Sequence, residues 1–242
     1  MIDWHCHILP GLDDGATNID QALRMAAALA TAGFHTVYCT PHRMPGCYTA
    51  DNDQVQQGVV RLQEQLREKE IPLLLQPGCE YCLDEFLLSS LDSPLPLGDS
   101  RLVLVEILPR ISADLVRQLL YQVVQRGFIP VIAHPERCQL LEPPAQHAVG
   151  NHLFAPLKNL FSRRRDNSEA ALPGASGNPL LDYLRDLGCS FQGNLGSFKG
   201  CYGRRVQVAA QTLKGLGIYD RYGSDLHAPE QAGVILAPPI FQ

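Results

Sequence analysis

The sequence lacks any long apolar run and any leader-like start. Nowhere in its 242 residues is there an uninterrupted apolar stretch of about 18, the length that a transmembrane helix needs. The first residues, MIDWH, carry neither the basic nor the apolar segment of a secretory signal. We therefore expect a soluble, cytoplasmic protein that is not embedded in a membrane.

Excess positive charge and stacking aromatics are also missing. The formal net charge is -5 and aromatic residues make up 7% of the chain. A nucleic-acid-binding protein normally presents a basic face, often with interleaved aromatic side chains, to the phosphate backbone. The composition therefore argues against a nucleic-acid partner and leaves small phosphorylated molecules and peptides open as ligands.

The eight cysteines show no disulfide framework. Cys79 and Cys82 form a CxxC pair, but no second pair follows and the motif does not open a helix. We interpret these thiols as buried residues of a protein from a reducing compartment.

Short apolar stretches alternate with longer amphipathic ones, which is typical of parallel strands joined by helices. The predicted strands are 2–6, 35–39, 73–77, 102–106, 129–133, 189–192 and 218–224. The predicted helices are 19–32, 52–68, 113–125, 180–187 and 203–216. Asn18 and Ser112 are expected N-caps, and Gly33 and Gly127 are expected at helix ends. The length suits one large α/β barrel-like domain or two small ones.

Polar side chains that can bind metals follow nearly every predicted strand. They are His5, His7, His42, Glu80, Glu106, His134, Asn194, Asp225 and His227. In a parallel barrel, the carboxyl ends of the strands converge on the face where active sites are built. The sequence therefore predicts a polar site at that face.

The spacing of these residues favours a metal site. His5 and His7 are two apart, so in a strand their side chains point the same way, and Asp225 and His227 repeat this spacing. Glu80 follows a buried run, where a carboxylate needs a cation, a hydrogen-bond network or a proton. Imidazole and carboxylate ligands without thiolate suit Mn²⁺, Fe²⁺ or Zn²⁺ in a catalytic cluster. Two or three clustered ions would imply a bridging hydroxide and phosphoester hydrolysis.

Two arginines are candidates for phosphate contact. Arg137 lies three residues after His134, where its guanidinium could bind two phosphoryl oxygens or pair with Glu136 or Glu142. Arg43, directly after His42, is the second candidate.

Residues 139–178 interrupt the strand–helix alternation with prolines and glycines. Apolar residues within 153–161 fall at near-helical spacing and are followed by three arginines at 163–165. This insertion is interpreted as a flap packed on the barrel, with contact to an acidic partner or a membrane surface as the alternative.

Seven motifs occur in a fixed order: DWHCHILPGLDDG, TPH, GCEY, VEI, AHPER, QGNLGSFKGCYG and SDLH. Together they resemble the polymerase and histidinol phosphatase (PHP) superfamily. They are most similar to the manganese-dependent protein tyrosine phosphatases of bacterial capsule and exopolysaccharide biosynthesis. The resemblance covers residues 1–138 and 179–228, and implies a single PHP-type domain over 1–242. The implied fold is a distorted, TIM-like (β/α)₇ barrel with the metal site at the carboxyl ends of its strands.

The resemblance also implies a ligand set for three ions. The first ion would be held by His5, His7, Glu80 and Asp225. Glu80 would bridge to a second ion held by Glu106 and His134. The third would be held by Asp14, His42 and His227. Asp14, in the LDDG stretch, thereby joins Arg137 and Arg43 as a catalytic candidate, and Asn194 and Ser197 are expected to line the site.

The implied reaction is hydrolysis of phosphotyrosine on a protein, above all a tyrosine autokinase of polysaccharide export, with Mn²⁺ as the expected metal. A small-molecule phosphatase, such as one for histidinol phosphate, and a regulatory protein that lost activity are the alternatives. Two departures from the family are visible. The insertion at 139–178 is longer than the family's connection, and the shortened tail APEQAGVILAPPIFQ offers neither the further arginine nor the closing helix expected after His227.

Overall fold

The computed structural model describes residues 1–144 and 176–238. The predicted insertion at about 139–178, with its apolar stripe and arginines, lies mostly outside the described residues. The strands are β1 Ile2–Cys6, β2 Thr36–Cys39, β3 His42–Arg43, β4 Leu74–Pro77, β5 Glu80–Cys82, β6 Leu102–Glu106, β7 Ile129–Ala133, β8 Ser190–Asn194 and β9 Arg221–Gly223. The helices are α1 Ile19–Thr31, α2 Asn52–Glu68, α3 Leu87–Ser90, α4 Ala113–Gln125, α5 Pro179–Asp186, α6 Leu195–Phe198, α7 Arg204–Gly215 and α8 Ala232–Ile235.

The strands form two parallel sheets, one of order β1-β2-β4 and one of order β3-β5-β6-β7-β8-β9. Strands β2 and β4 each continue, after a two-residue break, into β3 and β5, which pair with each other in turn. At the other side, the His7 amide donates to Leu226 O at 3.0 Å and the Asp225 amide donates to His5 O at 2.7 Å. The result is an α/β fold with a curled parallel sheet, in which the carboxyl ends of distant strands share one edge.

Helices α1, α2 and α4 begin at the predicted residues, α5 and α7 begin within one residue of them, and α3, α6 and α8 were not predicted. Asn18 accepts a hydrogen bond from the Gln21 amide, and Ser112 accepts one from the Leu115 amide, so both predicted N-caps are confirmed. The buried residues of α1, namely Ala22, Met25, Ala26 and Leu29, recur at helical spacing and pack into the core.

Some boundaries differ from the prediction. The last strand, predicted over 218–224, is only Arg221–Gly223, because the Ile218 amide is used to close the end of α7 through Leu213 O. Strand β8 extends to Asn194, two residues beyond the prediction. Strands β3 and β5, of two and three residues, were not predicted, since such short elements carry no measurable periodicity. After His227 the chain forms the short helix α8, whereas the sequence predicted no helix in this tail.

The CxxC cysteines are buried and free, as predicted. Burial raises the pKa of the Cys79 thiol to about 12, so it stays protonated near neutral pH. Within residues 1–144 and 176–238, the helices do not reach the combination of length and apolarity that crossing a membrane requires.

Candidate metal centre

Four side chains converge at the carboxyl ends of the strands to form what we call the inner cluster: His5, His7, Glu80 and Asp225. The Nε2 atoms of His5 and His7 lie 3.0 Å apart, as the i, i+2 spacing in β1 predicts. Glu80 Oε2 lies 3.1 Å from His5 Nε2 and 3.3 Å from His7 Nε2, and Asp225 Oδ1 lies 3.3 and 3.2 Å from the same two atoms. All four side chains are at most 2% exposed. Their ligand atoms are close enough to share one ion.

Three further residues, Asp14, His42 and His227, form the outer cluster. Asp14 Oδ1 lies 3.7 Å from His42 Nε2 and 3.6 Å from His227 Nε2. The Asp14 side chain is 50% exposed, so this cluster opens toward solvent. His7 is also within reach of these three ligand atoms, which makes it a link between the two clusters.

Glu80 connects the inner cluster to Glu106 and His134. Its Oε1 lies 3.0 Å from His134 Nε2, which in turn lies 3.8 Å from Glu106 Oε1. Its Oε2 lies 3.1 Å from His42 Nδ1. Glu80 therefore stands between all three predicted ligand groups, as a bridging carboxylate must.

Other side chains orient these ligands through their second polar atom. Gln192 Oε1 lies 2.9 Å from His5 Nδ1, and Asp13 Oδ2 lies 2.6 Å from His7 Nδ1. Asp13 also accepts hydrogen bonds from the amides of Gly15 and His42. Such partners fix the ring orientation and tautomer of a metal-binding histidine.

Two side chains hold Asp225 in place. Asn194 Nδ2 donates to its Oδ2 at 2.7 Å, and Arg137 Nη2 donates to the same atom at 2.5 Å. The Asp225 backbone has a φ of +51°, and His134 has a φ of +31°. Non-glycine residues seldom adopt such angles except where the surrounding structure requires them, as at functional sites.

The electrostatics of the inner cluster are those of tightly paired charges. Burial disfavours ionisation of Glu80 and Asp225, yet His5 and the neighbouring cationic groups hold the pKa of both carboxyls well below their usual range. Burial likewise disfavours protonation of His5 and His7, yet the carboxylates around them raise the pKa of both imidazoles. Metal binding requires neutral histidines and ionised carboxylates. A divalent cation can therefore take the place of the protons that these side chains share.

The pKa values of the Glu106 and His134 side chains shift in opposite directions. Burial, together with the charges of Glu80 and Asp225, raises the pKa of Glu106 to about 8. Burial and the nearby Arg137 lower the pKa of His134 to about 4, so its imidazole is neutral and able to act as a ligand.

Arg137 lies beside the cluster and is stacked on an aromatic ring. Its guanidinium carbon is 3.7 Å from the centre of the Tyr202 ring. It makes neither of the surface ion pairs considered from the sequence, because Glu142 pairs with Arg205 and Glu136 is buried against Asn194 and Tyr219. Within the described ranges, the buried Arg137 Nε has no hydrogen-bond partner. A donor on the arginine next to the cluster is therefore left available.

The structure does not bring Arg43 to the cluster. His42 faces Glu80, whereas Arg43, the next residue of β3, faces the other way, as alternation in a strand requires. Its guanidinium donates to Ala50 O at 3.1 Å and lies over the Tyr81 ring. The predicted phosphate contact by Arg43 therefore finds no support in this geometry.

Sequence reasoning missed several of the orienting residues. Asp13 stands next to the predicted Asp14 and has the same chemistry, so the sequence offered no means of separating a ligand from its orienting neighbour. Gln192 and Tyr202 both lie within the QGNLGSFKGCYG motif, but only their partners in the fold, His5 and Arg137, reveal what they do. Asn194, expected to line the site, contacts Asp225 as described, and Ser197 is fully buried just after it in α6.

The cluster fits divalent cations. Glu80 Oε2 is buried among three histidines without a hydrogen bond of acceptable geometry, and His42 Nδ1 is likewise unsatisfied. A buried carboxylate oxygen in that position needs a cation or a proton. The donor set of imidazole nitrogens and carboxylate oxygens is one that first-row divalent metals accept.

Proteins of similar sequence are known. The model of the family "Capsular polysaccharide synthesis, CpsB/CapC" matches residues 1–149. The tyrosine-protein phosphatase YwqE of Bacillus subtilis is 29% identical over 233 residues, covering 94% of this chain and 77% of YwqE. The tyrosine-protein phosphatase CpsB of Streptococcus pneumoniae is 29% identical over 144 residues, which are 59% of each protein. The chain thus matches about three quarters of one relative and about three fifths of the other.

Solved structures extend the likeness to the whole chain. A crystal structure from a study of YwqE and CpsB, described as unique metal-dependent tyrosine phosphatases, superimposes with a TM-score of 0.72 at 27% identity, covering 99% of this chain and 87% of that one. The histidinol phosphate phosphatase of Lactococcus lactis shares the fold, with a TM-score of 0.53 at 15% identity over 97% of this chain and 89% of that one. The family match extends over more than half of the chain, and the protein therefore belongs to the capsular polysaccharide synthesis family CpsB/CapC.

Proposed function

We propose that this chain is a metal-dependent phosphatase that hydrolyses phosphotyrosine on proteins. The observation that carries the proposal is the buried Glu80 carboxylate, which faces His5, His7, His42 and His134 with one oxygen unsatisfied. Such a carboxylate is suited to bridging cations. The likeness to tyrosine phosphatases YwqE and CpsB supports the same reaction.

The proposed metal is Mn²⁺, with Fe²⁺ or Zn²⁺ as alternatives, in two or three positions. The inner cluster would hold one ion, Glu80 with Glu106 and His134 a second, and the outer cluster a third. When bound, such ions activate water as a nucleophile and withdraw charge from phosphoryl oxygens. We propose that the curled sheet is a distorted (β/α)₇ barrel that presents these ligands on one face.

The protein's own residues would bind and orient the phosphoryl group. Arg137 is held in place by Asp225 and by the Tyr202 ring, and its unpaired Nε can donate to a phosphoryl oxygen. A guanidinium fixed in this way stabilises charge on the equatorial oxygens as the bond to the leaving group breaks, without having to reorganise. Asn194 fixes the position of Asp225, and Gln192 fixes the ring of His5, so both ligands stay in place beside Arg137.

The leaving group favours an aryl phosphate. Tyrosine has a pKa of about 10, so tyrosinate departs with less help from a general acid than an alkyl alkoxide would need. A tyrosine autokinase of capsule or exopolysaccharide biosynthesis is the proposed protein substrate, in keeping with the family to which the chain belongs.

Turnover of three substrates tests the proposal: a phosphotyrosyl peptide, p-nitrophenyl phosphate and histidinol phosphate, each with Mn²⁺ and after chelation. We expect metal-dependent hydrolysis of the two aryl phosphates and much slower hydrolysis of histidinol phosphate. A clear preference for histidinol phosphate would overturn the tyrosine specificity. No hydrolysis of any of the three by the metal-loaded protein would overturn the enzyme proposal.

A further inference from the structure

A cavity of about 570 Å³ lies beside the metal centre. Glu106, His134 and Arg137 line its inner end, so it is continuous with the proposed reaction site. An apolar wall is supplied by Ile107, Leu108, Pro109, Ile111 and Leu140. The volume lies within the range of small-ligand sites, and an apolar wall next to an anion-binding end suits an aromatic ring that carries a phosphate.

The charged groups that line this cavity are mainly basic. Within the described ranges they are Glu106, Arg110, Arg137 and Arg205, and the neutral imidazole of His134 lies among them. Arg205 is partly neutralised because it pairs with Glu142, and it also donates to Arg137 O at 3.5 Å. Arg137 pairs with Asp225 and is the group proposed above to bind the phosphate itself. Arg110 is therefore the guanidinium left to meet a charge brought in by the ligand.

Arg110 differs from the other cavity arginines in two respects. It makes neither a hydrogen bond nor an ion pair with any residue of 1–144 or 176–238. Its backbone has a φ of +73°, in the left-handed region that a non-glycine residue seldom adopts without a functional or structural reason. The chain thus holds an exposed, unpaired guanidinium at the rim of the cavity in a conformation that is costly to maintain.

We infer that the cavity receives the phosphotyrosine side chain and that Arg110 selects substrates with an acidic residue beside that tyrosine. The inference rests on the proposed function. The chain as a whole has a formal net charge of -5 and would repel an acidic peptide. A preference for acidic neighbours must therefore come from a local basic group, and Arg110 is placed to provide it.

Two peptides that differ only in charge test this inference: Ala-Asp-pTyr-Asp-Ala and Ala-Asn-pTyr-Asn-Ala, compared by kcat/KM with Mn²⁺. We expect the unchanged protein to prefer the Asp peptide about threefold to fivefold, the size of one exposed charge pair, and to lose this preference at high salt. Arg110→Gln should abolish the preference, and Arg110→Glu should reverse it in favour of the Asn peptide.

Arg101→Glu is the matched control. Arg101 directly precedes β6, at the end of the strand opposite Glu106, so the same change of charge occurs far from the cavity. This variant should keep the preference for the Asp peptide. Equal hydrolysis of both peptides by the unchanged protein, or an Asp preference that survives in Arg110→Glu, would overturn the inference and leave the proposed phosphatase intact. If neither peptide is hydrolysed, the proposed function fails and this inference fails with it.

Discussion

The inner and outer clusters use the same donor chemistry in different surroundings. The inner cluster is at most 2% exposed, with donor atoms 3.0 to 3.3 Å apart. In the outer cluster, the side chains of His42, His227 and Asp14 are 13, 23 and 50% exposed, and Asp14 Oδ1 lies 3.7 and 3.6 Å from the Nε2 atoms of the two histidines. An unpaired charge is costly when it is buried, so the inner ligands must be held in place and neutralised by a cation or by protons. The outer ligands are partly exposed and can be solvated by water. We therefore expect a tightly held inner ion and a weakly held outer one.

The largest effect is expected from Glu80→Gln. The change removes the negative charge shared by four histidines, so metal content should fall and activity should drop by more than about 100-fold, beyond the 10- to 100-fold typical of losing an orienting partner. Metal analysis and p-nitrophenyl phosphate turnover measure both. Glu64→Gln, on the exposed face of α2, is the control and should behave like the unchanged protein. Full metal content in Glu80→Gln would refute its bridging position.

Arg137→Ala should separate phosphate binding from metal binding. Loss of a fixed hydrogen-bond donor to an oxygen that gains charge in the transition state typically lowers kcat by about 100-fold or more. KM should rise as well, because the substrate phosphate loses a contact. Metal content should stay near that of the unchanged protein, because Asn194 still holds Asp225. Wild-type kinetics in this variant would show that Arg137 does not contact the phosphate.

Gln192→Leu tests whether the inner cluster depends on its orienting residues. The substitution leaves His5 Nδ1 without its partner at 2.9 Å, so metal affinity should fall by about 10-fold or more. Activity measured against Mn²⁺ concentration should show a shifted midpoint and a recovered maximum. An unchanged midpoint would mean that His5 is held by packing alone.

The smallest of these effects is expected from Asp14→Asn in the outer cluster. Its carboxylate is half exposed, so water can replace one ligand, and activity should fall by only about 10-fold and recover when Mn²⁺ is added. Mn²⁺ titration monitored by activity provides the measurement. A loss as deep as that of Glu80→Gln would erase the distinction between the clusters.

Much of the site could be predicted because its ligands follow strands. His5 and His7 are paired by the two-residue period of β1, and Glu80, Glu106 and His134 come at the ends of apolar runs. Asp14 could not be placed by spacing, since a turn has no period, and only the family resemblance indicated it.

The remaining features depend on tertiary contacts that no local pattern encodes. Gln192 meets His5 across 187 residues of sequence, and Tyr202 stacks on Arg137 from a turn before α7. The sequence could not show that Arg43 faces away from the cluster, because its orientation is set by β3. A strand of two residues is too short for its periodicity to be read. The elements of the parallel α/β fold followed from the alternation of apolar and amphipathic segments, whereas the break that divides the sheet in two did not.

The most direct test is to locate the metal by anomalous X-ray scattering from crystals of the chain soaked with Mn²⁺. We expect a strong peak within ligand distance of His5 Nε2, His7 Nε2, Glu80 Oε2 and Asp225 Oδ1. A weaker peak is expected beside Asp14, His42 and His227, and it should fade first when Mn²⁺ is diluted. A fully soaked crystal with no peak among the four inner side chains would contradict the central claim.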